Sequence, residues 1–513
     1  MTVSADPSIA RQFLVEVSPY DTAAEDVVEI DLGSRDIVFP SNDPDAPNRE
    51  YDGRLLSPFT IKRAMFREGL IGGRSLPSYG GVRVVNDQQY VGDGTLAAWR
   101  GYGWDGRRIR ILMGPVDGTY AEHDVLLDGI VQAAPSFGLN EIVIPIADIQ
   151  ERLGKQIETA TYAGTGAFEG GADLKGRVKP FAAGQVRGAE PVLVNPALLW
   201  YDLTPTTGIH SVQQVTDGAV ALTASLSNPP PSGSYYLDAA NGRIRLGSRP
   251  QFILRVDFRS AFGSNATTAA DIIEELLTAR LGFDLAELDT ASFTALNTAN
   301  SATVGCFYKD TTEGLTAIDW LIGSVGGYYT ANRAGQLVVG RLEAPTATSE
   351  TDPQIALVID DTDLERASFV LSPADKPPYR IEIGYRRNHT VLSSDQIAAA
   401  ATDADEAFAL NEYRIEAVER AATLTKHLLS KPLRRDTGLD TQADAAAEAA
   451  RVRDLISVPR EVVECKLQTQ PMLLELGDEV WVRSELYDVD AAFRVIGDDQ
   501  NAREGRVSLV LWR

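Results

Sequence analysis

The sequence is short of the residues that carry chemistry. It holds 2 cysteines, 4 histidines and 4 methionines in 513 residues. Cys306 and Cys465 lie far apart and are too few for a disulfide framework or a metal-ligand cluster, which implies buried thiols kept in a reducing compartment. His123, His210, His389 and His427 fall at no metal or triad spacing, and HExxH, GxSxG and CxxC do not occur. No apolar run reaches the roughly 18 residues that a bilayer span needs. The start, "MTVSADPSIARQFLVEVS", lacks the basic and then apolar regions of a secretory signal. Positive charge is also scarce: 48 Lys and Arg stand against 72 Asp and Glu, a net −24. That argues against a duplex-gripping protein, which needs clustered cations on phosphates. An acidic surface serves solubility, or it repels a polyanion that must slide past without adsorbing.

What is present suits a folded, multidomain chain. The 44% hydrophobic and 23% charged composition supplies several cores, and the length suggests about two to five domains. Six segments follow from composition and periodicity. Residues 1–50 read as an acidic arm or hairpin, ending in the loop "NDPDAPNRE". Residues 51–204 read as a first β-barrel with Gly-rich loops; it is locally basic, through Lys62, Arg63, Arg67 and Arg74 among others. Residues 205–250 read as an inserted small β unit, in which Asn241-Gly242 marks a hairpin. Residues 251–350 read as an α+β domain. Its first helix, "TTAADIIEELLTARLG", is capped by Thr267 or Thr268; its second, "TTEGLTAIDWLIGSVGG", stops at Gly326-Gly327. Residues 351–457 combine strands with a long helix from about Asp405, ended by Pro432, and a second helix from about Thr441 to Ile456. Residues 458–513 read as a second β-barrel.

The last segment repeats the pattern of an earlier one. "GWDGRRIRILMG", "LLDGIV" and "NEIVIPI" match "LGDEVWVRSELY", "FRVIGD" and "GRVSLVLW", with Gly106 and Gly477 in corresponding places. Each block alternates apolar and polar residues and breaks at Gly and Asp. The expected fold class is therefore α+β and β-rich. It combines two similar small antiparallel β-barrels, an α+β domain and a helical segment. In the second barrel Trp481 and Trp512 should be packed against the sheet.

No residue is nominated as catalytic, cofactor-binding or metal-binding, and no cofactor is expected. "GTGAFEGG" (164–171) fails as a phosphate loop: its third glycine falls one residue late, and no Lys-Ser/Thr or helix follows. It reads as a loop packed on a neighbour. Trp99, Trp104, Tyr201, Tyr235 and Tyr236 suit packing on sheets or interfaces better than a sugar platform.

The stretches "YDGRLLSPFTIKRAMFREGLIGGRSLPSYGGVRVVN", "GYGWDGRRIRILMG", "DLKGRVKPFAAGQVRGAEPVLVNPALLWYDL", "YRIEIGYRRNHTV" and "LELGDEVWVRSELYDVDAAFRVIGDDQNAREGRVSLVLW" carry a resemblance. In this order they resemble tail-tip or baseplate hub proteins of tailed bacteriophages and gene-transfer agents. The resemblance implies a structural virion protein, assembled in the bacterial host cytoplasm, and not an enzyme. It implies a homotrimer whose two tube-like barrels per chain give six in a ring. Such a hub joins the hexameric tail tube or distal tail ring, and the tape-measure protein, to a central tail fibre or receptor-binding protein. DNA passes through its lumen without specific binding. The chain stops at Trp512-Arg513, so the expectation is a minimal hub on which a separate receptor-binding protein docks. A host-surface adhesin is the alternative, and a tail-associated hydrolase the more distant one.

Overall fold

The computed structural model describes residues 10–66, 72–75, 77–86, 95–468, 472–502 and 504–513. Residues 1–9 of the arm and Arg67 of the basic segment lie outside the described residues. The chain is β-rich, with several antiparallel sheets and a few helices. Two sheets built from its ends matter most.

The first sheet uses β1 (Arg11–Val17), β2 (Ile30–Gly33), β3 (Leu55–Ser57), β6 (Gly81–Val85), β7 (Arg108–Pro115), β8 (Asp124–Val131) and β9 (Glu141–Ala147). Between β3 and β6 the chain forms β4 (Thr60–Ala64) and β5 (Ser78–Tyr79), which belong to the second sheet. The strand order of the first sheet is β2-β1-β7-β8-β9-β6-β3. β1, read as part of the arm, is thus an interior strand, and its Leu14, Val15 and Val17 are fully buried.

The middle of the chain supplies the helices. In α1 (Ala269–Leu276) the Thr268 hydroxyl accepts the Asp271 amide, and Ile272, Ile273 and Leu276 are buried. The helix runs on to Leu281 and ends at Gly282, whose φ of 74° is the left-handed cap that glycine adopts without strain. α2 (Thr290–Ala299) and α3 (Gly314–Ser324) join the same core, as does the hairpin Gly327–Ala331/Leu337–Arg341. "TASFTALNTA", the sequence of α2, buries only Phe293 and Leu296 among its described residues, too weak an apolar face to announce a helix.

The long helix expected from Asp405 is not formed. Instead there is α4 (Asp403–Ala409), an edge strand Arg414–Glu419, α5 (Ala421–Lys426) and a second edge strand Pro432–Asp436. The strands flank Arg380–Tyr385 in a three-stranded sheet. A local stop and a non-local pairing together prevent the long helix. The Asn411 side chain donates to the Ala407 carbonyl and closes the helix early. Beyond it Arg414–Glu419 pairs along its whole length with Arg380–Tyr385, and that ladder takes the segment out of the helix. Pro432 opens an edge strand, a position where its missing N–H costs no ladder bond. The second expected helix does form, as α6 (Gln442–Ile456), capped by Thr441 and burying Ala445, Ala449 and Val452 against Ile381 and Ile383.

The second sheet adds β10 (Ile355–Asp360), β11 (Val370–Pro373), β12 (Glu461–Leu467), β13 (Glu479–Ser484), β14 (Val489–Asn501) and β15 (Arg506–Trp512). Its order is β5-β4-β14-β15-β12-β11, with β13 paired to β14 and β10 to β13. Trp481 and Trp512 are both buried in it, as expected.

Candidate assembly interface

Setting the two sheets side by side shows one unit used twice. In the first, β7-β8-β9-β6 are neighbours in that order, with β3 beside β6. In the second, β13-β14-β15-β12 are neighbours in that order, with β11 beside β12. In each unit the strand that comes first in the chain pairs with the one that comes last. The entrance to each unit also matches. Gly106 N–H donates to the Val131 carbonyl and Val131 N–H to Arg107; Gly477 N–H donates to the Val495 carbonyl and Val495 N–H to Asp478. Both glycines have positive φ, 71° and 98°, which is why a glycine precedes each opening strand. The match of Gly106 to Gly477 was visible in the sequence. The shared strand order was not, because β3, β6, β11 and β12 are supplied from outside the repeated motifs.

The two units are welded into one body. β3 runs into β4 through Pro58-Phe59, and β5 into β6 through Gly80, so a single bent ribbon has one half in each sheet. Gly80 N–H donates to the Thr60 carbonyl across the bend. A Cβ on Gly80 would collide with the Thr60 hydroxyl, and one on Gly81 with the Val143 side chain. The pair "GG" in "SYGGVRVV" is therefore required by close approach. The cores merge as well: Val82, Ile109 and Ile144 of one unit share a cluster with Val463, Phe493 and Trp512 of the other.

This weld fixes a continuous strand path from β2 through β3 and β4 to β11, and its two ends differ in charge. At the β2 end, residues 20–52 hold ten Asp and Glu against Arg35 and Arg49. This arm is pinned by Glu16, a buried carboxylate that accepts the Tyr51 and Tyr120 hydroxyls at 2.7 and 2.8 Å and pairs with Arg49 and Arg110. Val38 is 63% exposed on the arm and sits opposite Glu50 in a two-stranded ladder. At the β11 end the chain turns through Ala374, Lys376 and Pro378. There it borders a groove of about 440 Å³ shared with Leu429, Lys431 and Arg460. Leu428 and Leu429 are 83% and 71% exposed.

The residues singled out in the sequence do not converge. His123 is buried between Gln12 and the Thr119 carbonyl; His389 lies edge-on to Phe307, and burial pushes its pKa down to about 3. Cys306 and Cys465 occupy separate cores, where burial pushes each thiol up to about 12. Trp99 and Trp104 pack on each other at 5.7 Å, and Tyr201 and Tyr235 lie in one apolar cluster with Ile244, Phe258 and Phe307. The loop "GTGAFEGG" folds onto a neighbour: Phe168 meets Trp200 at 5.5 Å, and Glu169 binds Lys179 and the Ala163 amide. Among the described residues no three His, Cys, Asp or Glu side chains gather as a metal site, and no helix is long and apolar enough to cross a membrane.

Charge burial gives the chain a pH signature. Burial raises the pKa of Asp148, Asp202, Asp257 and Asp478 above the ordinary carboxylate value. Between the unfolded and folded values the native state binds more protons, so stability falls as pH rises through that window. Asp352 and Asp360 are held low by hydrogen bonds from Thr348 and Thr362, and their contribution disappears as pH drops through their folded values. The urea midpoint should therefore decline as pH rises from the ordinary carboxylate range through the raised values of the buried aspartates, and decline again as pH falls below that range. A midpoint that rises steadily to pH 8 would contradict the assignment of these buried carboxylates.

No family model and no curated protein matches the chain. Solved structures do. A tail protein from Neisseria meningitidis MC58 is 10% identical, with 98% of this chain and 96% of that one covered, at a TM-score of 0.41. A chain of the virion of a native gene transfer agent particle is 13% identical, covering 66% and 85%, at 0.42. The 43 kDa tail protein of prophage MuSo2 from Shewanella oneidensis is 9% identical, covering 98% of both chains, at 0.39. All three are tail or virion proteins.

Proposed function

We propose that this chain is a structural virion protein: the trimeric hub of a phage tail tip or baseplate, without enzymatic activity. Three copies present six similar β units around an axis. That arrangement mates with a six-fold tail tube or distal tail ring on one side and a three-fold central fibre on the other, leaving a channel for DNA. The observation that carries the reading is the repeated strand order with its matched glycine entrances, welded within one chain by the bent ribbon. A subunit with two like surfaces converts three-fold into near six-fold symmetry without a second gene product. The rigid weld suits the role, since a hinge between the units would let the ring pucker.

Light scattering of the purified protein tests this directly. A mass about three times that of the chain is expected, with electron micrographs showing the particle capping one end of purified tail tubes. A protein that stays monomeric and leaves the tube ends bare would overturn the reading. Glycan binding by the isolated protein would favour the adhesin instead.

A further inference from the structure

The two ends of the strand path fit each other. At the β11 end Lys376 and Lys431 are exposed and, among the described residues, make no ion pair, although the chain as a whole is strongly acidic. Among the described residues the Arg460 guanidinium beside them donates only to the Leu455 and Asp454 backbone carbonyls. Asp375 is the one carboxylate on the groove's lining. The exposed Leu429 lines the same groove as these cations. At the β2 end the arm offers the converse surface: exposed Val38 with Glu50 opposite it and Asp45 in the connecting loop.

The geometry points to a head-to-tail contact between copies, in which the acidic arm of one copy seats on the groove between Ala374 and Leu433 of the next. This rests on the trimeric reading and names the surfaces that close the ring. Three observations choose a second copy as the occupant. The charges are opposite and each patch has an apolar centre, which is what sets register at an interface. The patches lie at opposite ends of one strand path, so the contact joins different surfaces and propagates until the rotation closes. The chain also makes an analogous contact internally. The β3 side of the first unit leads into β4, which joins β14 of the second unit. The corresponding β11 side of the second unit would meet the β7–β8 side of the next copy's first unit, where Glu16, Arg110 and Tyr120 hold the arm.

The test uses the full chain in light scattering, with circular dichroism melting as a control for folding. Wild type should run at three chain masses. K376E/K431E should run at one chain mass at the same concentration with an unchanged melting profile, and so should D45K/E50K. The protein carrying all four changes should return to three, because the charges are then exchanged. Raising salt should dissociate wild type, since exposed pairs are screened. A K376E/K431E protein that remains a trimer overturns this contact and leaves the trimeric reading standing. If that protein has also lost retardation of a short single-stranded DNA, the groove serves a polyanion. A fourfold variant that stays monomeric overturns the pairing of these two patches. A monomeric wild type overturns the trimer itself, and this contact with it.

Discussion

Replacing Arg63 by alanine should cost about 3–5 kcal/mol, the range for removing one partner of a buried ion pair. Arg63 lies on β4, in the half of the ribbon that belongs to the second sheet, and is only 5% exposed. Its guanidinium grips Asp498 with two hydrogen bonds, at 3.1 and 2.7 Å, and reaches Glu475 at 2.7 Å and the Leu474 carbonyl at 2.9 Å. The Asp498 side chain is wholly shielded from solvent. Arg333, from the tip of the hairpin in the middle segment, donates to the same Leu474 carbonyl and to Leu126 of β8, and its amide donates to Glu475. One polar knot thus ties together the ribbon, both units and the α+β core. Alanine at 63 leaves the Asp498 carboxylate buried without its cation. The urea midpoint, followed by tryptophan fluorescence, should drop accordingly. R63M/D498L should recover much of the loss, because an apolar pair removes both charges at once. A cost below about 1 kcal/mol for Arg63→Ala would mean that the site is hydrated and the knot is not a weld.

How much of this was legible in the sequence depends on range. Capping and period are local, so the pair Thr267-Thr268, Thr441 and the Asn241-Gly242 turn announced their elements, with Thr268 the cap that forms, and the apolar face Ile272, Ile273, Leu276 and Leu277 is buried in full. The repeat was legible because strand–turn–strand motifs with matching glycines are contiguous. Its completion was not. β4 finds β14 more than 400 residues away, with Arg63 to Asp498 spanning 435 positions, and nothing in "TIKRA" names that partner. The segment around Arg63 reads only as locally basic, yet Arg63 itself is a buried ion. The failed helix after Asp405 has the opposite cause: "EYRIEAVER" has strong helix formers, and pairing with Arg380–Tyr385 overrides their propensity. The assembly surface was the least legible. Lys376 and Lys431 are unremarkable in sequence and gain meaning only when the fold places them beside Leu429 at the end of the strand path.

Trp512→Ala should cost about 3–5 kcal/mol, the loss expected for deleting a fully buried tryptophan. Its side chain has no solvent exposure, and β15 lies between β14 and β12, with Trp512 opposite both Arg494 and Val462. The Arg460 guanidinium sits 4.9 Å from the ring centroid, and Arg513 lies over Phe493 at 5.2 Å. The indole N–H is buried with no partner among the described residues. Trp512→Phe should accordingly cost less than about 1.5 kcal/mol, because it keeps most of the packing and removes an unsatisfied donor. Position matters as much as size here. β15 pairs with β14 along its whole length, and β14 is the strand that holds β4, so loosening the last strand should loosen the ribbon. Hydrogen exchange of Trp512→Ala should therefore show lost protection not only at Val507–Leu511 but also at Thr60–Ala64, near the other end of the chain. Protection lost only at the C-terminus would mean that the two units respond independently, and the weld could not then serve as the rigid element of a ring. The same substitution releases Arg460 from its position over the ring, so if the chain is the proposed trimer it should also weaken that assembly, more than its effect on stability alone would predict.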